Sequence, residues 1–338
     1  MMCAAASPSF LRWHDPRHGA RILGMKAARI AEFGDPSKLQ IVEMDRPRIA
    51  ESDVLVAVKA AGVNPSDVSN LAGKFGQTKL PRVPGRDYAG VVAEGPRNLV
   101  GKEVWGTGAE IGFTRDGTHA EFFAVAWTSV REKPKNLSFA QSAIALPFVT
   151  ASLALNALNL QAWDAFIVTG SKGSVGWAAV QLARSRRART IGIQRGPEKG
   201  YLDEVIDSEK EDVTKRISEL TAGSGGVACL DTVGNPLFDA VLTGLPHGAR
   251  MVVITAAKDG RVSFNIRDFY HRELTLVGVD SLQDDSTVAG EELQKITHGF
   301  EEGVLHPPEV HEYPLERAAE AYAMVASGKA KEKLVLVP

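Results

Sequence analysis

From Met25 onward, apolar positions come in short alternating runs broken by glycine and proline. Lys26–Ile30 and Leu39–Glu43 predict a hairpin-like strand pair, and Val54–Val58 predicts a third strand. Asn64-Pro65 ends that strand, and Pro65-Ser66-Asp67 starts a short helix, where proline loses only an N–H that has no helical partner. Tyr88–Ala93, Lys102–Gly106 and Ala120–Val125 continue the run of short strands, the pattern of a partly open β-barrel. After Ser138 the pattern changes. Ser138 and Gln141 have capping-box spacing, and a helix is expected from Ala140 to about Leu158. Phe166–Thr169 then reads as a buried strand, followed by a small-residue turn and a helix with Val175, Ala179 and Leu182 on one face. Arg184, Arg186 and Arg187 close it, where positive charge suits a helix C-terminus. Further strands at Thr190–Ile193, Glu204–Ile206, Val227–Leu230, Arg250–Ile254 and Leu274–Gly278 alternate with amphipathic segments, as in a doubly wound parallel sheet. Helices near Ala289–Glu302 and Glu316–Ser327 and a strand at Lys333–Val337 finish the chain. That last strand is expected to return to the first domain, making the second domain an insertion. The expected division is 25–145 with 285–338, and 146–284.

Composition narrows the field. At 338 residues the chain is long enough for two domains, and 44% hydrophobic with 24% charged residues is ordinary for a globular protein. A net charge of −2 gives no reason to expect nucleic acid or a membrane surface as partner. No apolar run is read as reaching the roughly 18–20 residues that span a bilayer. Two cysteines, Cys3 and Cys229, are too few for a disulfide framework or a thiolate zinc site, so a reducing, cytoplasmic setting is expected. Residues 1–24 lack a stable period and are read as a poorly ordered extension outside the fold. A transit peptide is the other reading, since three arginines there accompany one acidic residue, Asp15.

The candidate chemistry begins at Gly170-Ser171-Lys172-Gly173-Ser174-Val175-Gly176. A strand, a tight turn and a helix are the setting in which backbone N–H groups face a phosphate. Gly173 would let the backbone approach a pyrophosphate, and Gly176 would let the helix pack close to the strand. The first glycine of G-x-G-x-x-G is missing, with Ser171 in its place, so a plain strand–helix turn stays open. The next strand ends in Gln194-Arg195, where a site for NADH would carry Asp or Glu on the ribose 2′-hydroxyl. An arginine there can hold a 2′-phosphate, which favours NADPH; the plainer alternative is a solvated charge. Lys172 is likewise open to a phosphate or to solvent.

Together these motifs resemble the medium-chain dehydrogenase/reductase superfamily, in its zinc-independent quinone oxidoreductase-like branch. The carriers are Gly62-Val63-Asn64-Pro65-Ser66-Asp67, Pro84-Gly85-Arg86-Asp87-Tyr88-Ala89-Gly90, Gly117-Thr118-His119-Ala120-Glu121, the loop 171–176, Asp231-Thr232-Val233-Gly234 and Lys331-Glu332-Lys333-Leu334-Val335-Leu336. The resemblance implies a GroES-like β-rich catalytic domain split around a Rossmann domain, with an active site in the cleft between them. It also implies a homodimer paired through the strand near Leu274–Gly278. Asn64, Asp67 and Thr150 would lie by the nicotinamide or substrate, and Asp231, Thr232, Val233, Gly234, Ile254 and Thr255 would border the cofactor. Zinc-dependent relatives carry a cysteine near the position of Asn64 and a His-Glu pair where Arg86-Asp87 stand, so no metal is expected here.

The expected activity is hydride transfer from NADPH to quinones or α,β-unsaturated carbonyls, whose developing enolate oxygen needs hydrogen-bond donors. Two alternatives are an enoyl-thioester or alkenal reductase, and an NADPH-binding protein with a structural or regulatory role. Phe75 stands where the enoyl-thioester reductases have a catalytic tyrosine. Ser208 replaces a tyrosine found near the adenine of quinone reductases. The segments Gly196–Glu204 and Gly95–Gly101 are shortened, the first by most of a helix.

Overall fold

The computed structural model describes residues 10–12, 24–256 and 260–338, so the expectation for residues 1–24 lies almost wholly outside the described residues. The chain divides into two compact units, Met1–Leu146 with Leu282–Pro338, and Pro147–Ser281.

In the first unit, Gly24–Ile30 and Leu39–Asp45 form an antiparallel pair in register from Gly24 opposite Asp45 to Ile30 opposite Leu39. The ten-residue strand Asp53–Gly62 is the hub of a larger sheet. It pairs antiparallel with Tyr88–Pro96, with Phe122–Ala126 and with the C-terminal strand Lys333–Val337. Val54, Val56, Val58, Ala61, Tyr88, Val92, Phe123 and Val125 bury one core between these strands. The C-terminal strand also pairs, in parallel, with Val310–Pro314, a strand absent from the sequence reading. Its side chains are mostly outside the core, so it lacks the apolar alternation by which a strand is recognised.

The second unit is a six-stranded parallel sheet in the order Glu204–Asp207, Arg189–Gln194, Ala165–Thr169, Val227–Asp231, Arg250–Val253, Thr275–Gly278. The chain winds outward from the middle strand in both directions, which puts a topological switch point between Ala165–Thr169 and Val227–Asp231. Ala165–Thr169 is buried along its whole length, which explains its unbroken apolar run. Ile167, Ile191, Ile193, Ile206, Cys229 and Met251 pack with helix residues Val213, Ile217, Phe238 and Val241.

The helix expected from Ala140 to Leu158 is two helices, Phe139–Ser142 and Ala145–Ala157. Pro147 has no N–H to return to the Ala143 carbonyl, and the Leu146 N–H is bonded instead to Asp87 Oδ1 at 2.7 Å. The Ser138 capping box does form, with Gln141 N 3.1 Å from Ser138 Oγ and Ser138 N 3.0 Å from Gln141 Oε1. Phe139–Ala157 is 19 residues and apolar enough to cross a bilayer, contrary to the sequence reading, but 78% of its apolar window is buried inside the protein. Among the described residues the connection 195–203 contains no helix, as its shortness required.

Candidate functional site

The loop of the second unit is built around three glycines with different jobs. Gly170 has φ +64°, and a Cβ there would lie 2.7 Å from Thr232 Oγ1, so it makes the tight turn directly after the strand. The sequence reading placed that missing turn glycine at Ser171; the turn is made one residue earlier. Gly176 sits in the first turn of the helix Ser174–Ser185, where a Cβ would be 2.4 Å from the Gly170 carbonyl oxygen. Gly173 is the N-cap and offers no side chain to the first-turn amides of Ser174, Val175 and Gly176, which have no acceptor within the helix. A Cβ at Gly173 would meet nothing closer than the Gly170 oxygen at 3.2 Å, so the space over those amides is left for a ligand. Uncapped N–H groups under a bare glycine suit a pyrophosphate.

The rest of the predicted cofactor set surrounds this loop. Ser171 is buried and turned inward, its Oγ donating to Gln194 Oε1 at 2.5 Å. Gln194 Nε2 in turn donates to the carbonyls of Glu198 at 2.7 Å and Gly196 at 3.3 Å. Ser208 Oγ donates to the Gln194 carbonyl at 3.1 Å, and Gly196 N donates to Asp207 Oδ1 at 3.0 Å. Lys172 Nζ reaches the Arg195 carbonyl at 2.8 Å and Glu198 Oε2 at 2.6 Å. The Arg195 side chain is exposed, and its guanidinium makes no bond to any described residue. Together with the uncapped helix N-terminus, these residues suit a dinucleotide cofactor.

On the other side of the switch point, Asp231 Oδ1 accepts from Thr169 Oγ1 at 2.6 Å, Val233 N at 3.0 Å and Gly234 N at 2.9 Å. Thr232 Oγ1 donates to the Thr169 carbonyl at 2.7 Å. The segment Asp231–Gly234 is thus tied to the strand that leads into the glycine loop, while buried Asp231 Oδ2 has no partner among the described residues. Ile254 N donates to the Asp231 carbonyl at 3.3 Å; Ile254 is half-buried and Thr255 exposed. Thr150 is buried in the helix Ala145–Ala157.

Asn64 and Asp67 belong to the first unit, where they join a network that the sequence reading missed. Asp67 Oδ2 accepts from the Asn64 backbone N–H at 2.8 Å, which caps the helix Pro65–Leu71. Asn64 Nδ2 donates to Asp87 Oδ2 at 3.0 Å, and Lys333 Nζ donates to Asn64 Oδ1 at 2.5 Å. The Lys333 ammonium is also 3.7 Å from Asp87 Oδ2. All four side chains are buried. Burial pushes Asp67 up to about 7 against the opposing pull of the Asn64 N–H, and burial lowers Lys333 despite Asp87 and Asp67 nearby. Beside them His119 Nε2 lies 3.2 Å from the Gly62 carbonyl, which can only accept, so Nε2 carries the proton. Burial brings His119 down to about 4, so the ring is neutral and Nδ1 accepts from the Tyr322 hydroxyl at 2.9 Å. The signal for Lys333 was one charge at the head of an apolar strand, and His119 stood in the motif Gly117–Glu121 without a role; nothing local marked Tyr322.

Residues 50–135 match the alcohol dehydrogenase GroES-like domain, and residues 202–336 match the zinc-binding dehydrogenase family. A zinc-type alcohol dehydrogenase-like protein of Schizosaccharomyces pombe is 36% identical over 82% of this chain and 86% of its own length. The quinone oxidoreductase of Homo sapiens is 29% identical over 93% of this chain and 98% of its own. An alcohol dehydrogenase superfamily structure from Novosphingobium aromaticivorans superposes with a TM-score of 0.83 at 27% identity, covering 93% of this chain and 99% of the other. The zinc in two of these descriptions does not fit this chain's residues. Asn64 and Asp87 are engaged by an ammonium, and no group of three or more His, Cys, Asp or Glu gathers among the described residues.

Proposed function

This chain belongs to the medium-chain dehydrogenase/reductase superfamily, in its quinone oxidoreductase branch, and on that premise we propose that it is an NADPH-dependent reductase of quinones or α,β-unsaturated carbonyls. The observation that carries the choice of NADPH is the exposed Arg195 guanidinium, without a partner among the described residues, at the end of the strand that follows the glycine loop. A carboxylate at that point would repel a 2′-phosphate, whereas a guanidinium binds it through two parallel N–H bonds. The bound cofactor supplies hydride; the first-turn amides of Ser174, Val175 and Gly176 hold its pyrophosphate. With Asn64 and Asp87 committed to Lys333, the substrates that suit the chain already carry an electrophilic carbon conjugated to oxygen. A reducing, cytoplasmic setting belongs to the proposal and accords with Cys229 as a buried free thiol.

The test is titration with NADPH and NADH, beside NADPH oxidation over a panel of quinones and enones. NADPH is expected to bind more tightly, and Arg195→Ala to weaken it about ten- to hundred-fold while sparing NADH. Equal affinity for the two dinucleotides would sink the choice of cofactor. A second reading, a dinucleotide-binding protein with little turnover, is favoured by the burial of Asn64 and Asp67. Tight NADPH binding with no oxidation across the panel would select it.

A further inference from the structure

Lys172 stands inside the glycine loop, yet its ammonium reaches away from it. It bonds the Arg195 carbonyl at 2.8 Å and Glu198 Oε2 at 2.6 Å, which sets one carboxylate on the Lys172 ammonium, next to the backbone of Arg195. The backbone under that carboxylate is fixed separately. The Glu198 carbonyl is held by Gln194 Nε2 at 2.7 Å, and Gln194 is held by Ser171 Oγ at 2.5 Å. The Glu198 carboxylate can therefore leave Lys172 by side-chain rotation alone. Both side chains are more than half exposed, 53% for Lys172 and 69% for Glu198, so the carboxylate returns to water at little cost. Other acidic groups nearby make their hydrogen bonds elsewhere, Asp207 with Gly196 N and Glu209 N and Glu211 with Asp207 N and Arg216, although the Asp207 charge still acts on Lys172 without bonding it. Lys199 is turned to Glu204 and the Asp203 carbonyl.

We propose that Glu198 is an internal competitor for the 2′-phosphate subsite, occupying the Lys172 ammonium and yielding it to the phosphate of NADPH. This rests on the cofactor reading above and adds Lys172 and Glu198 to it as specificity-determining residues. A phosphate monoester brings up to two charges and three acceptor oxygens, enough to engage Lys172 and Arg195 together. A single carboxylate oxygen on Lys172 gives way to it. The neutral 2′-hydroxyl of NADH offers the ammonium no comparable gain, and the Lys172–Glu198 pair stays in place. Lys172 holds the Glu198 carboxyl below the usual carboxylate range, so the competing charge is present at neutral pH. Glu198 thus lowers affinity for NADPH and leaves NADH untouched.

Calorimetric titration of the full chain with NADPH and NADH at low salt tests this. Glu198→Gln is expected to tighten NADPH about three- to ten-fold and leave NADH unchanged, with the gain fading as salt screens the exposed charges. Lys172→Met is expected to weaken NADPH about ten-fold and spare NADH. If the unaltered protein prefers NADPH but Glu198→Gln leaves that affinity unchanged, or shifts both dinucleotides equally, the competitor role is overturned and the cofactor reading stands. If neither dinucleotide binds the unaltered protein, both are overturned.

Discussion

Asp67 and His119 are both buried near the Lys333 ammonium, with opposite consequences for stability. Burial raises Asp67 from 3.8 to about 7, so across that window the folded chain keeps a proton that the unfolded chain has lost. Its contribution therefore falls as pH rises, by on the order of a few kcal/mol in all. Burial lowers His119 from 6.5 to about 4, so there the unfolded chain binds the extra proton. That contribution is lost as pH falls from 6.5 toward 4. Between pH 4 and 6.5 the two slopes oppose each other. Asp67→Asn keeps an acceptor for the Asn64 N–H and removes one of them. Urea midpoints at pH 4.5, 5.5 and 6.5 are expected to climb more steeply with pH in Asp67→Asn than in the unaltered protein, by about 1–3 kcal/mol across the range. Parallel curves would mean that Asp67 is ionised throughout. This network was illegible in the sequence for a physical reason. Lys333 and Asn64 meet across 269 positions, and Tyr322 and His119 across 203, so no local pattern links them. The strand, turn and helix that lead to Arg195 were legible because they lie within one short stretch.

The glycine loop shows what an element demands of single positions. Gly170 and Gly176 face each other across a backbone contact that excludes any side chain, whereas a Cβ at Gly173 would meet only the Gly170 carbonyl oxygen, at 3.2 Å. Gly176→Ala is expected to force the helix off the strand and cost about 1–3 kcal/mol in the urea unfolding midpoint. Gly173→Ala is expected to leave that midpoint within about 0.5 kcal/mol yet weaken NADPH, because its Cβ would enter the space over the first-turn amides. Loss of stability in both, or of binding in neither, would contradict the division of labour between them. Most strands of both units could be located from their apolar runs, since Ala165–Thr169 and Val227–Asp231 are buried throughout and Asp53–Gly62 nearly so. The failures are equally instructive. Val310–Pro314 is a strand made by backbone pairing with almost no burial, and the break at Ala143 depends on Asp87 taking the Leu146 N–H from far along the chain.

At the scale of the whole molecule, the second unit's sheet ends in an open edge. Thr275–Gly278 pairs only with Arg250–Val253 among the described residues. That edge carries none of the usual protections, with no proline or lysine in Thr275-Leu276-Val277-Gly278. Apolar side chains are exposed around it: Leu276 is 37% exposed, Tyr270 58% and Ile266 65%. We propose that a second copy of the chain covers this edge, the two Thr275–Gly278 strands running antiparallel across a two-fold axis. A two-fold contact brings the same patch of each subunit against itself, so one substitution acts twice. Leu276→Lys would place two ammonium groups near each other on a surface that must lose water, and like charges facing across paired strands are destabilising. Sedimentation equilibrium is expected to show a dimer for the unaltered chain and a monomer for Leu276→Lys. NADPH binding should survive in that monomer, because the residues proposed to hold its pyrophosphate and 2′-phosphate lie in the loop 170–176 and the connection 194–198, strands away from this edge. A monomeric unaltered chain at micromolar concentration would refute the pairing, and loss of NADPH binding together with the dimer would mean that the edge strand supports the site as well as the assembly.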